Sequence, residues 1–136
     1  MIQKSLLDRM KDLIERWEMH REKLLKAIVE THGTHTEDDV LAMILGGNLT
    51  LITSDKSAVV VETTKTPRIV SLNVFLAGGN FADMIEHEPA LLAEAERRGC
   101  SRITGGGRTE WIAALRDRND GFRGYKVGGA FVYKDI

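Results

Sequence analysis

Residues 69–133 read IVSLNVFLAGGNFADMIEHEPALLAEAERRGCSRITGGGRTEWIAALRDRNDGFRGYKVGGAFVY. An apolar strand, Ile69 to Leu76, leads into a Gly78-Gly79-Asn80 turn and a helical segment. The Gly99-Cys100 break precedes a short strand, Arg102 to Thr104, and a Gly105-Gly106-Gly107 turn. A helix over Arg108–Arg118 and a last strand over Tyr125–Tyr133 complete the run. Strands that pass through glycine turns into helices, with short returns, describe a β-α-β-α-β unit. Asn80 suits a helix N-cap with Asp83 at the third position. Pro89 sits badly inside a helix, so a short helix near Phe81–Ile85 is expected, followed by a main helix starting at Pro89.

Working back toward the N-terminus, three strands connect by short turns: Leu49–Thr53, Ala58–Thr64 and Ile69–Leu76. Connections this short favour an antiparallel meander. Val59, Val60 and Val61 in succession imply burial on both faces of the sheet. Thr36, followed by Glu37, Asp38 and Asp39, is a strong N-cap for a short helix that stops at Gly46-Gly47.

Before that, apolar residues at Leu6, Leu7, Met10, Leu13, Ile14 and Trp17, then Leu24, Leu25, Ile28 and Val29, step by three and four as in an amphipathic helix. His20 and Arg21 leave a polar gap between the two runs. One unbroken helix of ~28 residues would reach ~42 Å, longer than a domain of this size is wide. Ordinary helix lengths favour a break around Glu18–Glu22. If unbroken, residues 1–19 would form a projecting extension with an apolar face.

The 136 residues are expected to form one domain with a real core. A 43% hydrophobic share, a 29% charged share and a net charge of -1 give no bulk attraction to nucleic acid or anionic membrane. No apolar run reaches the length of a membrane span, and Met1-Ile2-Gln3-Lys4 opens a charged amphipathic segment and not a secretory signal. One cysteine, Cys100, rules out an internal disulfide and is expected to be a small buried residue near a strand start. His32 and His35 with Asp38 and Asp39 have metal-ligand types, but helix capping accounts for the acids, so no metal is expected. Gly105-Gly106-Gly107-Arg108-Thr109 lacks the Gly-Lys-Ser/Thr ending of a phosphate loop. No interleaving of basic and aromatic residues suggests a nucleic-acid platform.

The order helix, helix, three-strand meander, helix, strand, helix, strand resembles the GNAT superfamily of N-acetyltransferases, an α/β (α+β) fold. Several strings look like the small GNAT-like proteins of tailed bacteriophages. They are Gly33-Thr34-His35-Thr36 with Asp39-Val40, Leu76-Ala77-Gly78-Gly79, Arg98-Gly99-Cys100, and Gly107-Arg108 with Trp111. The resemblance covers about residues 20–133. It implies a splayed strand pair, Ile69–Leu76 and Arg102–Thr104, with acetyl-CoA in the gap and its pyrophosphate on the turn Ala77, Gly78, Gly79, Asn80 and Phe81.

The chemistry that the resemblance implies is poorly represented. The family's signature, Arg or Gln, two residues, Gly, one residue, then Gly or Ala, fails at Asn80 in one frame and at Phe81 in the other. Asp83 adds a negative charge where phosphates would lie. The family's Phe-Tyr-x-x-x-Gly-Phe pattern places Asp117 or Asp120 where the acid for the leaving thiolate should stand, leaving Tyr125 as a weak substitute. Glu62, in mid-strand, is the candidate base for an attacking amine. The expectation is therefore a GNAT-like phage protein without acetyl-CoA chemistry and with no cofactor. It would act by contact with other virion proteins, either in the particle or in the cytoplasm of the infected bacterium. The alternatives are an N-acetyltransferase that uses acetyl-CoA, and a small module that binds a host protein.

Overall fold

A computed structural model describes residues 5–106, 112, 124–129 and 131–136. The chain falls into two compact units, Met1–Gly106 and Gly107–Ile136, and the elements below all lie in the first. Helix α1 runs from Leu6 to Val29 without a break. Ser5 caps it by accepting a hydrogen bond from the Asp8 N–H at 3.1 Å. The expected break around Glu18–Glu22 is absent, and the reason is local. The segment contains no Gly or Pro, and Leu13, Trp17, His20, Leu24 and Ala27 form one buried stripe stepping by four and three. His20 fills the slot that reads as a polar gap. At about 36 Å, α1 is long for the unit, and its first turns keep Leu6, Leu7 and Ile14 60%, 60% and 53% exposed.

Helix α2, Glu37–Leu45, begins with a capping box in which Thr36 and Asp39 each accept from the other's backbone N–H. It ends where Gly47, at φ 84°, lets the Asn48 N–H reach the Met43 carbonyl at 3.0 Å. Trp17 Nε1–H donates to Glu37 at 2.8 Å, and Arg21 binds both oxygens of the same carboxylate, fixing α2 on α1.

Strands β1 (Thr50–Thr53), β2 (Ala58–Lys65) and β3 (Val70–Gly78) form an antiparallel meander. Helix α3, Phe81–Arg97, then crosses to β4, Arg102–Gly105, which pairs parallel with β3. The sheet order is β1-β2-β3-β4. The β3–β4 ladder runs from Ser71↔Arg102 to Val74↔Gly105, while β3 continues to Gly78. These described elements follow the α/β order expected: helices, antiparallel meander, then a β-α-β crossover. The helix expected over Arg108–Arg118 lies, but for residue 112, outside the described residues. The described residues of the last expected strand, 125–129 and 131–133, carry no strand.

Helix α3 also corrects an expectation. It is one helix with Pro89 inside it, not two. Asn80 and Asp83 start it at Phe81, and Pro89 lies on the exposed side, opposite the face that buries His87, Leu91 and Ala95. Proline removes one ladder bond and crowds the preceding turn, a cost of about 3 kcal/mol. The cap and the buried face offset it. At its far end Gly99, at φ 72°, lets Cys100 N–H bond the Ala95 carbonyl at 2.8 Å.

The sheet is covered on both faces. Leu13, Trp17, Leu24, Val40, Leu51, Val60 and Leu76 share one cluster under α1 and α2. Val59, Val61, Leu72, Leu91 and Ala95 share another under α3. The three consecutive valines divide between the two, and each is fully buried. Between Val60 and Val61 the β2–β3 register shifts, leaving Phe75 as an extra residue beside Leu76. Cys100 is half-buried and packs against the second cluster.

Candidate functional site at the β3–α3 turn

Four pieces of chain meet at the end of the sheet where β3 finishes. They are the middle of α1, the β1–β2 turn Ser54–Ser57, the β3–α3 turn, and the first half of α3. Two glycines set their spacing. A Cβ on Gly78 would lie 3.2 Å from the carbonyl carbon and Cβ of Lys23 and 3.3 Å from the Leu24 nitrogen. Helix α1 therefore passes backbone-close over the end of β3, as only glycine allows. Gly79, at φ 153°, would place a Cβ 3.0 Å from Ser57 Cβ and 3.1 Å from Met84 Cε.

The turn that follows bonds to itself. Asn80 Oδ1 accepts from the Asp83 N–H at 2.8 Å, and Asp83 Oδ2 accepts from the Asn80 N–H at 3.2 Å. An anion cradle on a helix N-terminus needs those donors free and a positive local field. Here two donors are bonded and a carboxylate stands in the first turn. A phosphate charge ~6 Å from that carboxylate would be repelled by about 3 kcal/mol at an effective dielectric near 20. This arrangement does not fit a pyrophosphate on the first turn of α3.

The interior of the junction is polar. His20, His87 and Ser57 are 3%, 3% and 1% exposed. His87 Nε2–H reaches the Ser57 carbonyl at 3.4 Å, and the Ser54 and Ser57 hydroxyls bond each other at 2.9 Å. The Lys23 ammonium donates to the Lys56 carbonyl. His20 Nε2 and His87 Nδ1 are buried without a hydrogen-bond partner. Burial, then the charge of Lys23, holds His20 below the usual histidine range; its bond to the Ser54 backbone pulls the other way, and His87 adds a smaller lowering. The Ser57 hydroxyl is bonded to Ser54 and to neither imidazole, so serine and histidine meet here without the contact a nucleophile and its base require.

The residues expected from sequence are partly brought together. Ala77, Gly78, Gly79, Asn80 and Phe81 form the turn. Glu62 lies elsewhere: Ala58 is the residue opposite Gly78, and Glu62 stands four positions farther along β2, about 13 Å away. Its carboxylate accepts from Asn73 Nδ2 at 3.2 Å, and Asn73 Oδ1 accepts from Thr104 at 2.9 Å, a polar ladder across β2, β3 and β4. Tyr125 belongs to the second unit. Asp39 caps α2, and the His35 ring packs edge-on to Phe75 at 4.7 Å between centroids. Among the described residues no three potential ligands gather around a metal position. A separate concavity of about 220 Å³ between α1, α2 and β1 includes Arg9 and Arg16. Both guanidiniums there donate to backbone carbonyls, Leu45 at 3.0 Å and Leu51 at 2.7 Å.

Sequence reasoning missed His20, His87 and Ser57. The signal for His20 was present, since it falls on the four-three stripe between Trp17 and Leu24. Nothing local marks Ser57 or His87, because their burial depends on the approach of α1 and α3 from opposite faces.

Among the described residues no helix is long and apolar enough to cross a membrane. No protein-family model matches the sequence, and a comparison with curated proteins gave no match. Among solved structures, a point-mutant form of TTHA1254 from Thermus thermophilus is similar, with a TM-score of 0.53 and 13% identity over 85% of this chain and 88% of that one. At that identity the likeness is one of fold alone.

Proposed function

We propose that this chain is a GNAT-like protein of the tailed-phage type that works by contact and not by acetyl transfer. In this reading it is associated with the virion or its assembly. The observation that carries the non-catalytic part is the β3–α3 turn. Asn80 and Asp83 cap each other, Asp83 supplies a negative charge, and Gly78 lies against the α1 backbone where an open cradle would be needed. The phage and virion parts rest on the sequence strings set out above. The contact surface in this reading is the first half of α1, whose exposed Leu6, Leu7 and Ile14 would seat against another virion protein. Calorimetric titration with acetyl-CoA is the test of the first part, with no binding heat expected up to millimolar cofactor. Micromolar binding would overturn it. Mass spectrometry of purified particles tests the second part: the chain should co-purify at a fixed ratio to the major virion proteins, and its absence would refute a virion role.

A further inference from the structure

The two buried imidazoles reach one turn from two helices on opposite faces of the sheet. His20 Nε2 has no partner, and the Ser54 backbone is the one neighbour that favours a proton on this ring. His87 holds the Ser57 carbonyl through Nε2–H, so its Nδ1 is the bare nitrogen. The two rings thus meet the two ends of the same four-residue turn, His20 beside Ser54 and His87 on the Ser57 carbonyl. Each also keeps one lone pair with no donor facing it. Neither ring is bonded to a carboxylate among the described residues.

The charged groups around them are few. From α1 comes Lys23, already donating to the Lys56 carbonyl. The β1–β2 turn contributes Asp55 and Lys56, both exposed. On α3, Asp83 is committed to the Asn80 N–H, while Glu86 is exposed and Glu88 half-buried beside His87. The main charge felt by His20 is that of Lys23, and it is positive. A proton added to the bare Nε2 of His20 would therefore create a buried N–H with no acceptor, close to the charge of Lys23.

We propose that this junction is a proton-operated clasp worked by His20: with its buried ring neutral, α1 holds the Ser54–Ser57 turn, to which His87 ties α3, and protonation of His20 in mild acid releases the turn and, with it, the anchor of the first half of α3. The sign follows from the opened state. There an imidazole titrates near its ordinary value of about 6.5, whereas the closed state holds His20 lower. The closed state is at full strength above about pH 6.5 and loses stability as pH falls below that value. A window ending at about pH 5.5 leaves the carboxylates ionised.

Hydrogen exchange of the full chain at about pH 7.5 and about pH 5.5, corrected for intrinsic rates, reads the clasp directly. Amides of 54–58 and 79–87 should lose protection by roughly tenfold or more at the lower pH, while those of Val60 and Val61 in mid-sheet should not. The variant His20→Asn removes the imidazole that takes up the proton and keeps a small amide donor beside the turn. In that variant the acid-dependent loss should vanish. Equal protection of 54–58 at both pH values in the unaltered chain overturns the proposal even if the variant fails to fold. So does an acid response that survives in that variant.

Discussion

The two ends of the sheet are built on different principles. At the end where β3 finishes the chain is packed close: Gly78 lies against the backbone of Lys23 and Leu24, and Gly79 against the side chains of Ser57 and Met84. At the other end side chains reach across gaps, as in the Glu62–Asn73–Thr104 ladder. There Arg98 also binds Glu94 at 2.7 Å, Thr63 at 3.1 Å and Thr50 at 3.0 Å. The first end tolerates little change at Gly78, because the helix backbone above it cannot move aside as a side-chain tip could. The second is half-exposed, so water can replace a lost partner. This difference teaches that a glycine turn ahead of a helix is not in itself a ligand site. The same residues serve close packing, and the side chains around them decide which use applies.

The strongest way to break the comparison is to alter the packed end. Leu24→Ala should cost about 2–5 kcal/mol, because Leu24 is wholly buried beneath the crossing helix. Gly78→Ala should cost about 1–3 kcal/mol, since the new methyl meets helix backbone and not a flexible tip. Urea unfolding with a two-state fit gives both values. A loss below about 0.5 kcal/mol for Gly78→Ala would show that α1 can lift off, leaving room at the turn for a ligand.

Next in size are the polar ties. Asp83→Ala removes one half of the capping box and should cost about 1 kcal/mol. Arg98→Lys at the other end should cost a similar ~1 kcal/mol, because an ammonium cannot span Glu94, Thr63 and Thr50 together. Glu37 sharpens the comparison by pH. Its hydrogen bonds to Arg21, with help from Trp17 and against the opposing effect of burial, hold its carboxyl below the usual glutamate range. Because the folded value is the lower one, this stability is present above about pH 4.5 and is lost as pH falls through the folded value. Glu37→Gln should lower stability near pH 7 and flatten the unfolding midpoint between about pH 4.5 and pH 3.

Much of this fold was legible because its strongest patterns act locally. Val59–Val61 could only be a strand buried on both sides. Thr36 with Asp39, and Asn80 with Asp83, mark helix starts through bonds made within four residues. The misreadings came where distant parts of the chain decide. His20 reads as a polar gap until the β1–β2 turn receives its ring, and Pro89 reads as a helix start until the buried face on either side of it outweighs one lost bond. The turn Ala77–Phe81 was legible as the junction of a strand and a helix, but its surroundings were not. Only the fold brings Lys23, Ser57 and His87 around those glycines.

The smallest expected effect falls on Glu62, and it tests the open end most cleanly. Glu62→Gln keeps the size of the side chain and an oxygen that can accept from Asn73 Nδ2. The residue is half-buried and its partner is neutral, so no ion pair is lost. The change in stability should stay within about 0.5 kcal/mol. A carboxylate held for ladder geometry alone gives a silent substitution. One that serves as a base has to lose activity through kcat when it becomes an amide, with folding untouched. An amine panel with acetyl-CoA, run on both proteins with thiol release as the readout, should give the same blank trace for each. A signal from the unaltered chain that Glu62→Gln abolishes would turn the open end of the sheet into the chemical one, although the closed turn lies about 13 Å from it along the strand.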